Sequence, residues 1–297
     1  MTTEIRNAMC SRGVLASLSI SSWTGNKMDR ALSAQQATSV GARQGGAIRV
    51  HKSLISDPLI KQPLRIATEA RNLHNALTLP WHYDGVGLLP TEMVIEYDTK
   101  LGVLKSKFWE AVQALQDNYS RLIVAAANDL GDAFDPADYP HAAQLRHFYR
   151  WNSVFDRIPT VDTNDMRLEV PEEVIGLIRE QLNQDLNPVI QGAIKKMIEV
   201  IDPVVNRLRA RQTDASAKVF NSTFDRLEEL PDIMRKFNVL NDPGIDEMIA
   251  DIDKAVISAE AVRTDPGAVD QSLEALLDIQ QRLAAATQWA VPAGEEE

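Results

Sequence analysis

Cysteine is nearly absent from this sequence, with Cys10 the single example among 297 residues. One cysteine excludes an internal disulfide and a cysteine-based zinc site, and this composition is typical of a reducing cytoplasm. Runs of about 18 apolar residues, which a membrane-spanning helix needs, are also missing. Residues 1–22 contain an early acid, Glu4, and no long apolar core, so a signal peptide is not expected. We therefore predict a cytoplasmic protein that does not enter a membrane.

The motifs of common catalytic and nucleotide-binding sites are missing as well. The chain has no GxxxxGK[ST] phosphate loop, no GxGxxG turn, no GxSxG elbow and no HExxH helix. No pattern brings together the nucleophile, base and orienting group that catalysis requires. The histidines show no spacing suited to metal ligands; they are His51, His74, His82, His141 and His147. We predict no catalytic residues, no metal and no cofactor, and therefore a protein that is not an enzyme.

Charge is distributed unevenly along the chain, which carries a net charge of −11. Residues 1–80 hold ten Lys and Arg against four Asp and Glu, a charge of +6, and the remainder holds 21 against 38, a charge of −17. Such an asymmetry is informative about partners rather than about fold. Either the basic part attracts the acidic part, within one molecule or across an oligomer, or it binds an acidic ligand such as nucleic acid.

The beginning of the chain predicts a small unit that contains β-structure. Apolar and polar residues alternate from Val14 to Ser21, as in a half-buried strand, and Gly25-Asn26 ends this pattern. Residues 28–43 are typical of a helix, and residues 47–52 predict a second strand. A sheet this small needs helices packed against it.

Two long helices are predicted over residues 92–131 and 171–212. Apolar residues recur in both at steps of three and four, as in a coiled-coil seam, with Asn118 as one polar interruption. A helix of about 40 residues is roughly 60 Å long and usually needs a partner, so we predict an antiparallel hairpin. Pro188 and Pro203 are expected to bend or divide the second helix. The seam residues are Val94, Tyr97, Leu101, Leu104, Phe108, Ala111, Leu115 and Leu122, and Ile175, Ile178, Leu182, Leu186, Val189, Ala193, Met197, Ile201, Val204 and Leu208.

Repeated Asp-Pro pairs mark expected helix starts. Asp or Asn accepts the N–H groups of a first helical turn, and proline suits the first helical position. Helix N-termini or kinks are therefore predicted at Asp57-Pro58, Asp135-Pro136, Asn187-Pro188, Asp202-Pro203, Asp242-Pro243 and Asp265-Pro266.

The predicted fold class is mainly α, with a small β-containing N-terminal unit, a long antiparallel helical hairpin or coiled-coil stalk, and a helical bundle. The expected domains are a basic α+β unit at 1–90, the hairpin at 91–212 with a small insert at 132–170, C-terminal helices at 213–290 and an acidic tail at 291–297. In the insert we expect a short helix up to Tyr149 and two short strands at 154–159 and 166–170. The C-terminal helices are expected at 216–240, 243–262 and 266–289.

Two segments are candidate sites. The first combines an aromatic ring with nearby cations, as in proteins that stack the bases of single strands and contact their phosphates; its residues are Trp23, Lys27, Arg30, Arg49 and Lys52. In the alternative, Trp23 belongs to the core and the cations form a solvated face.

The second candidate is the segment from Leu79 to Pro90, where His82 and Asp84 could form an acid–base pair. The same residues fit a buried connector, because Pro80 and Asp84-Gly85 are ordinary turn residues and the apolar side chains would fix the segment to the core. The buried connector is the preferred interpretation.

Several short blocks, spread over most of the chain, resemble a family of unknown function from tailed phages and bacterial genomes. The resemblance implies a phage or prophage origin in a bacterial host cell, and no catalytic residues to carry over. Genes of this family often lie near ring-forming ATPases of the MoxR type, which implies an adaptor role beside an AAA+ ATPase. The blocks are Leu18-Ser19-Ile20-Ser21-Ser22-Trp23-Thr24-Gly25, Leu79-Pro80-Trp81 with Gly85 and Leu88-Leu89-Pro90, Asp138-Tyr139-Pro140, and Val219-Phe220-Asn221-Ser222-Thr223-Phe224 with Leu240-Asn241-Asp242-Pro243.

The expected function is therefore a non-enzymatic interaction, scaffold or adaptor protein that self-associates or binds a protein partner in a cytoplasmic complex. The alternative is a single-stranded nucleic-acid-binding protein that uses its basic N-terminal unit. These alternatives differ in salt dependence, because each phosphate that the protein neutralises releases counterions and makes binding weaken steeply with salt.

Overall fold

The computed structural model describes residues 9–42, 48–81, 84–158, 172–239, 241 and 243–289. This part of the chain is mainly helical with small antiparallel sheets, which confirms the predicted fold class. The chain divides into two compact units, each built from separated segments. Unit 1 comprises residues 1–17, 77–95 and 154–297, and unit 2 comprises residues 18–76 and 96–153. The domain boundaries expected at residues 90, 212 and 290 remain predictions.

The strands of the described residues form two small sheets. One sheet has the order β4-β5-β1-β6, and β2 pairs with β3 in the other. The first predicted strand is confirmed, and the second, expected at 47–52, begins three residues later and ends one residue later than expected. The strands are β1 (Gly13–Ser21), β2 (Asn26–Asp29), β3 (Val50–Ser53), β4 (Leu79–Pro80), β5 (Val86–Pro90) and β6 (Arg150–Asp156).

Eight α-helices have both of their ends in the described residues. The long predicted helices are present as α3 and α4, whereas the helix expected at 243–262 is two helices. They are α1 (Arg30–Ser39), α2 (Lys61–Leu77), α3 (Val94–Leu130), α4 (Glu172–Thr213), α5 (Asn221–Phe237), α6 (Pro243–Ala255), α7 (Ala259–Thr264) and α8 (Pro266–Trp289). Short 3-10 turns cover Pro58–Ile60, Thr91–Met93, Gly131–Ala133, Pro136–Asp138 and Ala142–Phe148.

Asp-Pro pairs begin helical segments at several of the predicted places. The carboxylates of Asp57, Asp135 and Asp265 each accept a hydrogen bond from an N–H two residues later, at 2.9 Å. Helix α6 begins at Pro243. Pro188 and Pro203 lie inside α4, which continues past both, so the expectation that they begin or divide a helix is wrong.

The core of unit 2 is built on the apolar face of α3. Tyr97, Phe108 and Tyr119 on this face are almost completely buried. Tyr97 shares a 2.8 Å hydrogen bond with Nδ1 of buried His74 on α2, and burial raises the pKa of Tyr97 to about 12. Asn118, the polar interruption of the predicted seam, donates to the carbonyl of Ala114 on its own helix at 2.8 Å. Because the apolar residues of the seam from Tyr97 to Leu122 are buried, the seam faces the core of this unit.

The core of unit 1 is built on α4, whose buried side chains include Met197, Ile201 and Leu208. This helix packs against α5 and α8 of the same unit and lies close to β4. A Cβ atom at Gly192 would overlap the ring of Pro80, so a side chain at this position would force one of the two segments to shift. Since α3 and α4 belong to different units, their pairing as a hairpin remains a prediction.

Some of the expected features lie outside the described residues. They are His82 of the Leu79–Pro90 segment, the strand expected at residues 166–170 and the acidic tail at 291–297.

Candidate functional site

The sheet of β2 and β3 places two lysines of the predicted site side by side. Lys27 of β2 lies directly opposite Lys52 of β3 in the antiparallel register. Like charges in directly opposed positions destabilise a sheet unless a counter-charge lies nearby. The counter-charge is Asp138, which forms a salt bridge with Lys27 and lies 2.5 Å from Nζ of Lys52.

Asp138 is positioned by the 3-10 turn that begins after Asp135. Its side chain is 4% exposed, and hydrogen bonds from Lys27 and Lys52 hold its pKa below the ordinary value. The same interaction with Asp138 raises the pKa of Lys27. Lys52 also donates to the carbonyl of Ala133 at 2.8 Å and lies 3.8 Å from the carboxylate of Asp29. Both lysines are thus already neutralised within unit 2.

A cleft of about 950 Å³ opens above this ion cluster. We refer to it as the Asp138 cleft. Its wall includes exposed Arg30 at the start of α1 and three further carboxylates, so cations do not dominate its charge. It is lined by Lys27, Met28, Asp29, Arg30, Ala31, Leu32, Lys52, Asp132, Ala133, Phe134, Asp135 and Asp138.

The remaining residues of the predicted site lie apart from the lysines. Trp23 is half-buried and packs edge-to-face on Tyr119, with ring centroids 6.1 Å apart and an interplanar angle of 71°. Arg49 is exposed just before β3. The structure therefore brings Lys27, Arg30 and Lys52 to one cleft but places the Trp23 ring against α3. The sequence placed Asp138 in a block that carries the family resemblance, but it did not indicate the contact with Lys27, which lies 111 residues away.

The segment from Leu79 to Pro90 is a β-hairpin. Leu79 pairs with Leu88, and Gly85 has a φ of 75°, which suits the turn between the strands. Trp81 is 7% exposed and Leu89 is buried, as expected of a connector fixed to the core. The regular pairing was missed because a strand of two residues gives no alternating pattern. The acid–base pair remains untested because His82 lies outside the described residues.

A second surface, which the sequence did not indicate, follows α2 within unit 2. Two depressions of about 710 and 550 Å³ lie along this helix and share Glu69 and Asn72 in their walls. We refer to them together as the α2 face. The first is lined by Thr24, Asn26, Ser53, Ile55, Ile60, Lys61, Leu64, Arg65, Thr68, Glu69 and Asn72, and the second by Glu69, Asn72, Leu73, Ala76, Thr99, Lys100, Val103, Leu104 and Lys107.

The α2 face combines an apolar floor with a basic rim. Val103 is 51% exposed beside buried Leu104 and half-buried Leu73. The charged lining residues are four cations, Lys61, Arg65, Lys100 and Lys107, and one carboxylate, Glu69. A partly exposed apolar surface with a charged rim is suited to binding another molecule.

Known proteins, metal-binding clusters and membrane-spanning helices were each compared with or sought in this chain. No protein-family model, no curated protein and no solved structure matches this chain. Within the described ranges, no group of three or more His, Cys, Asp or Glu side chains is placed to hold a metal ion. None of the helices that the structure describes is long and apolar enough to cross a membrane.

Proposed function

We propose that this protein is a non-enzymatic interaction protein that acts as a scaffold or adaptor in a cytoplasmic complex. The observation that carries the proposal is the α2 face, where Val103 is 51% exposed on an apolar floor within a basic rim. Covering such apolar surface releases about 25 cal/mol per Å² buried, so the face favours association with a partner. The long helices α3 and α4 provide extended frames that suit a scaffold.

The resemblance to a tailed-phage family supports the same proposal from the sequence side. It implies a bacterial host cell and an AAA+ ATPase of the MoxR type as one candidate partner. Self-association is the other route to a complex. Light scattering on the purified chain separates the routes, because self-association gives a dimer or larger species without any added protein.

Single-stranded nucleic-acid binding has less support. Lys27 and Lys52 would have to exchange Asp138 for a phosphate, and Trp23 would have to leave Tyr119 to stack on a base. This alternative requires tight, salt-sensitive binding of an oligonucleotide that the double variant Trp23→Ala, Arg49→Glu abolishes. A fluorescence titration at low salt measures oligonucleotide binding by the wild type and by the double variant.

In-cell photocrosslinking tests the proposed function. A photoreactive phenylalanine analogue replaces Val103 in one variant and Val124, an exposed residue of the same helix that does not line the α2 face, in the control. We expect a discrete crosslinked species from position 103 and none from position 124. A strictly monomeric protein that forms no crosslink from either position would contradict the proposal.

A further inference from the structure

We propose that the α2 face is the docking site for an acidic amphipathic helix of a different protein. This inference rests on the proposed function, to which it adds the chemistry of the partner.

The shape of the face suits a helix that lies along α2. The lining residues run from Lys61 to Ala76 on α2, which at 1.5 Å per residue is roughly 22 Å, or about 15 residues of a partner helix. The apolar positions Leu64, Leu73 and Val103 lie along this length. A helix laid in an apolar groove contacts it through residues at i, i+3 or i+4, and i+7. The partner therefore needs apolar residues at this spacing.

The charge of the face sets the polar residues of the partner. Lys61, Arg65 and Lys107 form no ion pair with any residue that the structure describes, and Lys100 pairs only with exposed Glu96 on its own helix. Glu69 is the single carboxylate among the lining residues. A chain with a net charge of −11 thus presents a locally basic surface here. Carboxylates that flank the apolar stripe of the partner would complement this rim and speed association.

The lining residues favour a peptide over a nucleic acid. Single-stranded nucleic acids are held by aromatic rings on which bases stack, together with cations that follow the phosphates. The described side chains that line the α2 face supply cations but no aromatic ring, so a base would have nothing to stack on.

The acidic helices of this chain do not fit as the occupant. Helix α6 carries Asp246, Glu247, Asp251 and Asp253, but its apolar residues Ile245, Ile249 and Ile252 are buried in unit 1. The apolar residues of α5, among them Leu227 and Leu230, are buried in the same way. The apolar residues of acidic α8, among them Leu276 and Ile279, are buried as well. A second copy could offer these three faces only by unfolding, which favours an occupant from another protein.

Peptide selection on the full chain tests the inference. A displayed library of random 16-residue peptides is selected against the protein, and the affinities of the enriched peptides are measured by fluorescence anisotropy at low and high salt. We expect acidic sequences with apolar residues at i, i+3 or i+4, and i+7. Their affinity is expected to fall severalfold at high salt, because carboxylates face the rim.

Three variants locate the binding site. Val103→Glu places a carboxylate on the floor and is expected to weaken the selected peptides at least tenfold. Lys107→Glu reverses one rim charge and is expected to weaken them about fivefold. Lys105→Glu makes the same charge change at an exposed position of the same helix that does not line the α2 face, and a change below twofold is expected. Circular dichroism establishes that each variant is folded.

Three results would contradict the docking site or the chemistry of its partner, and a fourth would contradict both proposals. Enriched peptides that bind Val103→Glu as tightly as the wild type would overturn the docking site and leave the interaction function intact. Enriched peptides without acidic residues would overturn the partner chemistry. Selective loss of (dT)16 binding in the Lys107→Glu variant would identify a nucleic acid as the occupant. A selection that enriches nothing, together with an empty crosslinking experiment, would contradict both proposals.

Discussion

Asp138 is the residue that allows two lysines to occupy opposed positions in the β2–β3 pair. Its carboxylate accepts hydrogen bonds from Lys27 and Lys52 and is almost completely covered. Hydrogen bonds to charged groups are among the stronger contributions to stability, and a buried group left without its partner costs more than the bond itself. The Asp138 cleft therefore depends on an interaction between segments far apart in sequence.

We predict that Asp138→Asn lowers the free energy of unfolding at pH 7 by about 1.5–3 kcal/mol, the range for hydrogen bonds to charged groups. The lysines lower the pKa of Asp138 in the folded state, so its contribution is complete above the unfolded pKa of about 4 and is lost as pH falls through the folded pKa. Urea unfolding at pH 7 and in the acid range below pH 4 measures the difference in the free energy of unfolding between the wild type and the variant. The gap between wild type and variant should close in acid.

Asp132→Asn provides the matched control for this measurement. Asp132 is an exposed carboxylate of the same cleft, and no ion pair with another described residue is found for it. An equal loss of stability in both variants would mean that the lysines do not depend on Asp138.

Two glycines lie in the interiors of the long helices, in opposite environments. A Cβ atom at Gly102 of α3 would meet nothing within 4 Å, whereas one at Gly192 of α4 would lie 2.5 Å from Cγ of Pro80. Gly102→Ala is expected to stabilise the protein by about 0.5–1 kcal/mol, because alanine loses less backbone entropy in a helix. Gly192→Ala is expected to destabilise it by about 1–3 kcal/mol, the usual cost of overpacking.

Thermal and urea unfolding of the two glycine variants measures these changes, and each serves as the control for the other. Stabilisation by both would show that α4 does not approach Pro80 closely. Destabilisation by both would show that Gly102 has a neighbour on its helix face.

Elements that form through interactions between residues close in sequence were predicted well, and those that depend on distant residues were not. The periodic apolar residues of α3 and α4 predicted both helices, because this pattern depends only on residues close to one another in sequence. The division between α6 and α7 was missed, since it depends on a new cap at Ser258, whose hydroxyl accepts a hydrogen bond from the N–H of Ala261. The strands β4 and β5 were missed because Pro80 and Gly87 are unusual strand residues. Pro80 is tolerated because β4 is a short strand at the edge of the sheet, whereas Gly87 lies in β5, between β4 and β1.

The candidate sites were predicted less well than the elements. Three of the five proposed residues, Lys27, Arg30 and Lys52, do line one cleft. Their neutralisation by Asp138 and the contact of Trp23 with Tyr119 are tertiary interactions that no local pattern reveals. The α2 face likewise joins residues of α2 and α3, which belong to separate runs of the sequence.

At the scale of the whole molecule, the separated segments of each unit decide which fragments can fold. Residues 1–90 lack α3, whose Tyr97, Phe108 and Tyr119 are the largest fully buried side chains of unit 2 among the described residues. We predict that a fragment of residues 1–90 is unfolded, because the His74 side of α2 loses its partner. Residues 18–153 contain every segment of unit 2 and are expected to retain helical structure. Circular dichroism and amide NMR spectra of the two fragments measure the difference, and a folded fragment 1–90 would contradict the division.

The same interleaving has a consequence for synthesis on the ribosome. All of unit 2 has been translated once residue 153 is added, whereas unit 1 must wait for residues 154–297 before its early segments find their neighbours. At about 5–20 residues per second, this wait lasts roughly 7–30 s. During that interval β4, which lies close to α4 in the finished protein, has no α4 to contact. Nascent chains of this protein should therefore recruit holding chaperones through the hairpin of β4 and β5 until the rest of unit 1 has been made.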